Sequence, residues 1–187
     1  MLLSYETQSQ NGSATFTNPL LPSGADPFSF YKDGYYYYTH TLGNSVGIWK
    51  AKSIAGLKNA EYKIIYTPPA GTMYSKDVWA PEILFINNKW YAYFAADDGR
   101  NENHRMYVLE NESADPMKGE WIFKGKVADP SDKWAIDGDV FQYNNEWYLG
   151  RDASPCPSWR RRNRIRARWC GRPLRARRKT QTSLRSL

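Results

Sequence analysis

Three acidic residues recur at nearly even intervals along the chain: Asp26, Glu82 and Asp137. Each stands at or next to the start of a similar stretch of aromatic and β-branched residues. In a group of carboxylates, one member can activate water while another, kept protonated, protonates a leaving group, and hydrolysis of sugar bonds uses such a pair. A third charge nearby raises the pKa of the acid by like-charge repulsion. An aspartate before proline or glycine can also simply shape a turn, and the repeat leaves both interpretations open.

The stretches that contain these acids predict three β-hairpins. They cover residues 26–38, 81–93 and 137–149, so their starts lie 55 and 56 residues apart, with one residue of slippage in the third copy. Aromatic and β-branched residues suit a half-buried strand, and the Asp-Gly or Asn-Asn pair within each copy suits a tight turn.

Two further strand-like runs follow each of the first two hairpins, which gives about four strands per period. These runs are residues 46–52, 62–66, 105–110 and 121–126. Four strands at this period are typical of a β-propeller blade. The predicted fold class is therefore all-β, a β-propeller represented by two complete blades and the first hairpin of a third. A β-sandwich of generic hairpins is the alternative. In a propeller the first strand of each blade lines the central channel, so the three acids are predicted to meet in one pocket.

Charge and aromatic content both change near residue 150. The 187 residues carry a formal net charge of +7. Residues 151–187 contain twelve arginines, Lys179 and one acid, Asp152, and contribute +12. Residues 1–150 contribute −5 and contain every tyrosine and phenylalanine. One folded domain seldom changes its residue usage so abruptly, and the overall charge is an average of two unlike segments.

This change predicts three segments. Residues 16–149 form the partial propeller, residues 1–15 a flexible N-terminus, and residues 150–187 a disordered basic tail that out-of-frame translation could produce. A nucleic-acid-binding arm is the less favoured alternative for the tail, because arginine runs bind phosphates. No run of eighteen apolar residues predicts a membrane span, and the start lacks the pattern of a secretory signal, so localisation stays open.

Three motifs in this order resemble glycoside hydrolase family 43. They are Gly-Ala-Asp-Pro at 24–27, Val-Trp-Ala-Pro-Glu at 78–82 and Lys-Trp-Ala-Ile-Asp-Gly at 133–138. The stretch Asn-His-Arg-Met-Tyr-Val at 103–108 is similar to the arabinan-directed members in particular. The resemblance covers residues 16–149 nearly without a gap.

The resemblance implies a five-bladed propeller that hydrolyses α-L-arabinofuranosyl bonds of arabinan or arabinoxylan with inversion. By resemblance, Asp26 is the general base that activates water, and Asp137 orients the general acid and keeps its pKa high. The family's general acid is a glutamate from a later part of the propeller. No glutamate follows Glu146 here, and Asp152 stands in unrelated surroundings. The chain is therefore expected to be truncated and inactive, with a non-catalytic sugar-binding remnant as the alternative.

Further residues are candidates for contact with an arabinose- or xylose-containing substrate, together with Glu82. Trp79 could pack on a sugar face or belong to the core between blades. His40 and His104 could line the pocket, although a structural role is favoured for both. Arg105 could bind a substrate hydroxyl or pair with an acid. No cofactor is predicted: the resemblance implies a metal ion in the channel of family members, but its expected ligand lies beyond these residues.

Overall fold

A computed structural model describes residues 17–144 and 146–152, which contain ten β-strands and two short 3₁₀ helices. The strands are β1 (Phe28–Lys32), β2 (Tyr35–Thr39), β3 (Val46–Ala51), β4 (Glu61–Tyr66), β5 (Lys76–Ile86), β6 (Lys89–Asp97), β7 (Arg105–Asn111), β8 (Ile122–Val127), β9 (Ile136–Tyr143) and β10 (Glu146–Asp152). The 3₁₀ helices are Ile54–Asn59 and Asn101–Asn103. Within this described part, no helix is long and apolar enough to cross a membrane.

The strands form three antiparallel sheets in chain order. Strands β1 to β4 form one four-stranded sheet, β5 to β8 form a second, and β9 pairs with β10. The first strand of each sheet lies near the next, because β5 contacts both β1 and β9. The prediction of two four-stranded blades and the first hairpin of a third is therefore confirmed, and the β-sandwich alternative is excluded.

The hairpin turns correct the predicted alignment of the repeats. Their first residues are Asp33, Asn87 and Asn144. Seven residues before each turn the backbone adopts a positive φ, of 52° at Asp26, 44° at Ala80 and 49° at Asp137. Equivalent starts are thus 54 and 57 residues apart, and Ala80 rather than Pro81 is the second start. The acidic motifs suggested a different alignment of the three repeats. What the three starts share is a backbone conformation, whereas their side chains differ.

The second blade is buried on both faces because a sheet packs on each side of it. Every residue of β6 except Lys89 and Tyr91 is buried, whereas exposed and half-buried residues alternate along the outermost strand β8. Trp90 lies at the centre of the core shared with the first blade. Its indole N–H donates to the carbonyl of Ala114 at 3.2 Å, and its ring meets Tyr37 edge-on at 4.9 Å. Between the second and third blades the core is more aliphatic.

Strand β10 continues through Asp152, past the predicted domain boundary at residue 149. Arg151 is accommodated in the strand because its guanidinium lies 2.7 Å from the Asp129 carboxylate. Asp152 pairs in register with Ile136 and so lies beside Asp137. Asp152 does not line the acidic pocket, but its charge acts on Asp137, which was not expected from the sequence. The predicted flexible N-terminus and the tail beyond residue 152 lie outside the described residues.

Candidate active site

The pocket at the starts of the three blades brings Asp26, Glu82 and Asp137 together. Its volume is about 230 Å³, and these acids line it with Pro27, Phe28 and Ala80. Asp26 precedes β1, whereas Glu82 lies within β5 and Asp137 within β9. Each blade therefore contributes one carboxylate to the same pocket, as the spacing of the acids predicted.

The second blade supplies its acid from a shifted position. Ala80 occupies the site equivalent to Asp26 and Asp137, and Glu82 follows two residues later. The pairing of β5 with β6 shifts register between Trp79 and Glu82, so the regular alternation of side chains along a strand does not apply here. Glu82 nevertheless lines the pocket and lies close to Asp139, which is its equivalent in the third blade.

Glu82 is the carboxyl group most strongly perturbed by this crowding. Burial raises its pKa to about 7, and the charges of Asp139 and Asp137 add to the effect, whereas the backbone N–H of Val140 donates to the carboxylate and opposes it. Its Oε2 is buried with no hydrogen-bond partner among the described residues. A carboxyl group with this pKa carries a proton for much of the time at neutral pH. The pocket can therefore hold both charged and neutral carboxyl groups.

Asp137 experiences the same kind of environment. Partial burial raises its pKa, and the negative charges of Asp26 and Asp152 raise it further. Asp152 thus acts on the pocket through Asp137, which could not be expected from the sequence because the residues around Asp152 are unlike the repeat.

Asp26 is held by a residue that the sequence analysis missed. The Thr41 hydroxyl donates to Oδ2 of Asp26 at 2.7 Å and accepts the backbone N–H of Ala80 at 2.7 Å. The Thr41 backbone N–H also donates to the carbonyl of Ala25 at 2.9 Å. Thr41 lies two residues beyond the end of β2 in no recognisable motif, so only its partners in the structure distinguish it.

His104 is fully buried behind Trp79, and the two rings stack with their centroids 4.1 Å apart. Its Nδ1 lies 2.9 Å from Oδ2 of Asp97 and 3.3 Å from the carbonyl of Asn101, and its Nε2 lies 3.2 Å from the carbonyl of Asp77. These three contacts fix the orientation of the ring. Trp79 therefore packs one face against a fixed ring instead of presenting both faces to the pocket.

The other two candidates also lie away from the carboxylate pocket. His40 is buried, stacks on Trp49 at 4.5 Å and lies 3.3 Å from the Ser23 hydroxyl through Nε2; burial lowers its pKa. Arg105 pairs with Asp132 at 3.1 Å. These contacts favour the structural interpretation of His40 and acid pairing by Arg105.

Clustered carboxylates and histidines are the side chains that could also hold a metal ion. In the stretches 17–144 and 146–152, no group of three or more histidine, cysteine, aspartate or glutamate side chains is arranged to hold a metal ion. The expectation that no cofactor binds here stays a prediction.

The fold and the pocket define part of a β-propeller whose blades each present a carboxylate to the channel. The profile of glycosyl hydrolases family 43 matches residues 16–167 of the sequence. The chain belongs to this family, as the three motifs predicted.

Several named proteins are similar to the chain. It is 37% identical over 163 residues to an extracellular exo-α-(1→5)-L-arabinofuranosidase of Streptomyces avermitilis, covering 85% of this chain and 32% of that protein. An enzyme of the same name from Streptomyces chartreusis is 35% identical over 141 residues, covering 73% and 43%. The crystal structure of an α-L-arabinofuranosidase from Lactobacillus brevis superposes with a TM-score of 0.67 at 35% identity, covering 75% of this chain and 47% of that one. The chain thus spans less than half the length of these relatives.

Proposed function

We propose that the pocket is part of the active site of an inverting α-L-arabinofuranosidase-type glycoside hydrolase that acts on arabinan or arabinoxylan. The observation that carries this proposal is the meeting of Asp26, Glu82 and Asp137, one from each blade, in a single pocket. The arabinofuranosidases among the relatives favour arabinose-containing substrates over other sugars. The names of two relatives also favour an extracellular place of action.

In this proposal Asp26 is the general base. Its Oδ2 accepts a hydrogen bond from Thr41, which leaves Oδ1 to take a proton from the attacking water. The water adds to the anomeric carbon on the face opposite the leaving group, so the C–O bond breaks as the new one forms and the configuration inverts. Asp137 does not take the water's proton; its charge acts on the group that protonates the leaving oxygen.

In this proposal the general acid is not one of the pocket residues but a glutamate of the kind that the family resemblance places later in the propeller. An inverting enzyme keeps its two working carboxyl groups roughly 6.5–9.5 Å apart with water between them, and no glutamate follows Glu146 in the sequence. We propose that residues 1–187 by themselves bind arabinose oligomers weakly and hydrolyse them very slowly or not at all.

The test uses α-1,5-linked arabino-oligosaccharides and β-1,4-linked xylo-oligosaccharides with the 187-residue chain. Saturation-transfer NMR reports binding, and the anomeric proton signals report hydrolysis. We expect binding of the arabinose oligomers, weakened by Asp26→Asn and unchanged by Arg105→Met, without turnover. Binding of the xylose oligomers alone would contradict the arabinose assignment. Turnover that disappears in Asp26→Asn would support the assignment and overturn the proposed inactivity.

A further inference from the structure

The segment that follows β2 forms hydrogen bonds with the start of β5. These bonds connect the first blade to the second. Gly43 and Val78 exchange backbone hydrogen bonds at 3.1 and 3.0 Å. The Thr39 hydroxyl donates to the carbonyl of Pro81, and the Thr41 hydroxyl accepts the N–H of Ala80 at 2.7 Å. The two threonines therefore hold Ala80 and Pro81 against the first blade.

The peptide that they hold is in an unusual conformation. Ala80 has a φ of 44°, in the left-handed region that side chains other than glycine, asparagine and aspartate seldom adopt. Such a residue persists only when its surroundings over-determine it. The hydrogen bond from Ala80 to Thr41 satisfies the N–H in this conformation, so the position of the threonine hydroxyl is fixed relative to the second blade.

The partners of Thr41 determine the direction of its hydroxyl proton. A backbone N–H can only donate, so Thr41 Oγ1 must accept from Ala80 and its own proton is free to point elsewhere. An ionised carboxylate can only accept, and Oδ2 of Asp26 lies 2.7 Å away. The result is one directed series of hydrogen bonds from Ala80 through Thr41 to Asp26, in which each bond polarises the next.

We propose that Thr41 is the positioning residue of Asp26: it fixes the carboxylate against the start of the second blade and leaves Oδ1 directed to water. The role of Asp26 as general base rests on the function proposed above. The positioning of its side chain by Thr41 does not. A threonine that only held the two blades together would not restrict the side chain of Asp26.

The test compares Thr41→Val, which keeps the shape without the hydroxyl, with Thr41→Ser, which keeps the hydroxyl. NMR of the 187-residue chain measures the three-bond couplings that report the Asp26 χ1 rotamer and the exchange rate of the Ala80 amide. We expect one Asp26 rotamer in the native chain and in Thr41→Ser. In Thr41→Val we expect averaged couplings and at least about tenfold faster Ala80 exchange.

Thr72→Val is the matched control, because the Thr72 hydroxyl donates to the carbonyl of Pro69 at 2.9 Å and has no contact with the pocket acids. Unchanged Asp26 couplings in Thr41→Val would overturn the proposal. If Thr41→Val does not fold, the native chain decides: exchange of the hydroxyl proton for deuterium should shift the Asp26 carboxyl ¹³C signal, and the absence of that isotope shift overturns the proposal. Neither readout needs a sugar, so failure to recognise arabinan leaves this test intact.

Discussion

The two junctions between neighbouring blades use different chemistry at the ends that border the pocket, although away from the pocket the first junction also contains the ion pair between Lys50 and Asp115 at 2.6 Å. At the first, hydroxyl, amide and carbonyl groups of Thr39, Thr41, Ala80 and Pro81 pair across an aromatic core. At the second, acidic side chains of β5 and β9 meet beside a more aliphatic core. Uncharged pairs do not titrate, whereas crowded carboxyl groups do. The comparison indicates that the first junction gives the pocket its geometry and the second makes it sensitive to pH.

The largest expected effect comes from breaking the first junction at Trp90. Its side chain is fully buried, so Trp90→Ala leaves a cavity and should lower the free energy of unfolding by about 3–5 kcal/mol. Urea denaturation followed by circular dichroism measures the change. Trp90→Phe keeps an aromatic ring and should lose less. Tyr143→Ala, at a residue 62% exposed, is the control and should stay within about 0.5 kcal/mol. A loss below about 1 kcal/mol in Trp90→Ala would place the main core elsewhere.

The second effect concerns pH and the second junction. The pKa of Glu82 is raised to about 7 from 4.5, so the unfolded state ionises first and stability falls as pH rises between these values, then levels off. For a partly exposed group the total is about 1–2 kcal/mol after solvent screening. Glu82→Gln should remove this part of the decline in urea denaturation between about pH 5 and pH 8.

Glu110→Gln is the matched control for that experiment. Although burial raises the pKa of Glu110, hydrogen bonds from Tyr91 and Lys124 lower it more, so its net shift is downward. Its charge therefore stabilises the fold above the unfolded pKa, and the variant should lose stability at neutral pH instead of gaining it. An unchanged pH dependence in Glu82→Gln would show that Glu82 does not titrate as described.

A smaller effect separates the acids that surround Glu82. The charge of Asp139 raises the pKa of Glu82 more than the charge of Asp137 does. Asp139→Asn should therefore lower the pKa of Glu82 more than Asp137→Asn, as measured by ¹³C NMR of the Glu82 carboxyl carbon. Asp152→Asn is the control, because Asp152 acts on Asp137 and should leave Glu82 unchanged while lowering the pKa of Asp137. The reverse order of the first two variants would contradict the described arrangement.

The smallest effect lies away from both junctions. Arg105 pairs with Asp132, which is 47% exposed, and exposed ion pairs contribute about 0.2–1 kcal/mol. Arg105→Met should therefore change the free energy of unfolding by no more than that and leave arabino-oligosaccharide binding unchanged. Weaker sugar binding at unchanged stability would instead assign Arg105 to substrate contact.

The blades could be predicted because their signals are local. Alternating aromatic residues around Asp-Gly or Asn-Asn turns give strands and hairpins within about a dozen residues, and the repeat multiplies the evidence. The presence of Asp26 and Asp137 in the pocket could be predicted equally well, because equivalent positions of a repeat meet at the channel.

The rest of the site depends on contacts that the sequence does not display. Ala80 adopts a left-handed conformation that its residue type does not suggest, so the repeat register was misplaced. Thr41 contacts a residue of a different blade. Asp152 acts on Asp137 from a strand whose end was expected to belong to the tail. Such contacts follow from the packing of sheets, which residue patterns predict only in outline.

The left-handed backbone at Asp26 and Asp137 bears on how loss-of-function variants are interpreted. Aspartate, asparagine and glycine tolerate this conformation, whereas most other residues there add roughly 1–2 kcal/mol of strain. Ala80 shows that alanine can adopt this conformation where a hydrogen bond to Thr41 holds its N–H. At Asp26 or Asp137, however, alanine would remove the carboxylate and add backbone strain at once, so a loss of activity would not identify its cause. Asparagine changes the charge alone. Asp26→Asn and Asp137→Asn are therefore the variants whose effect on activity reports the carboxylate and not the backbone.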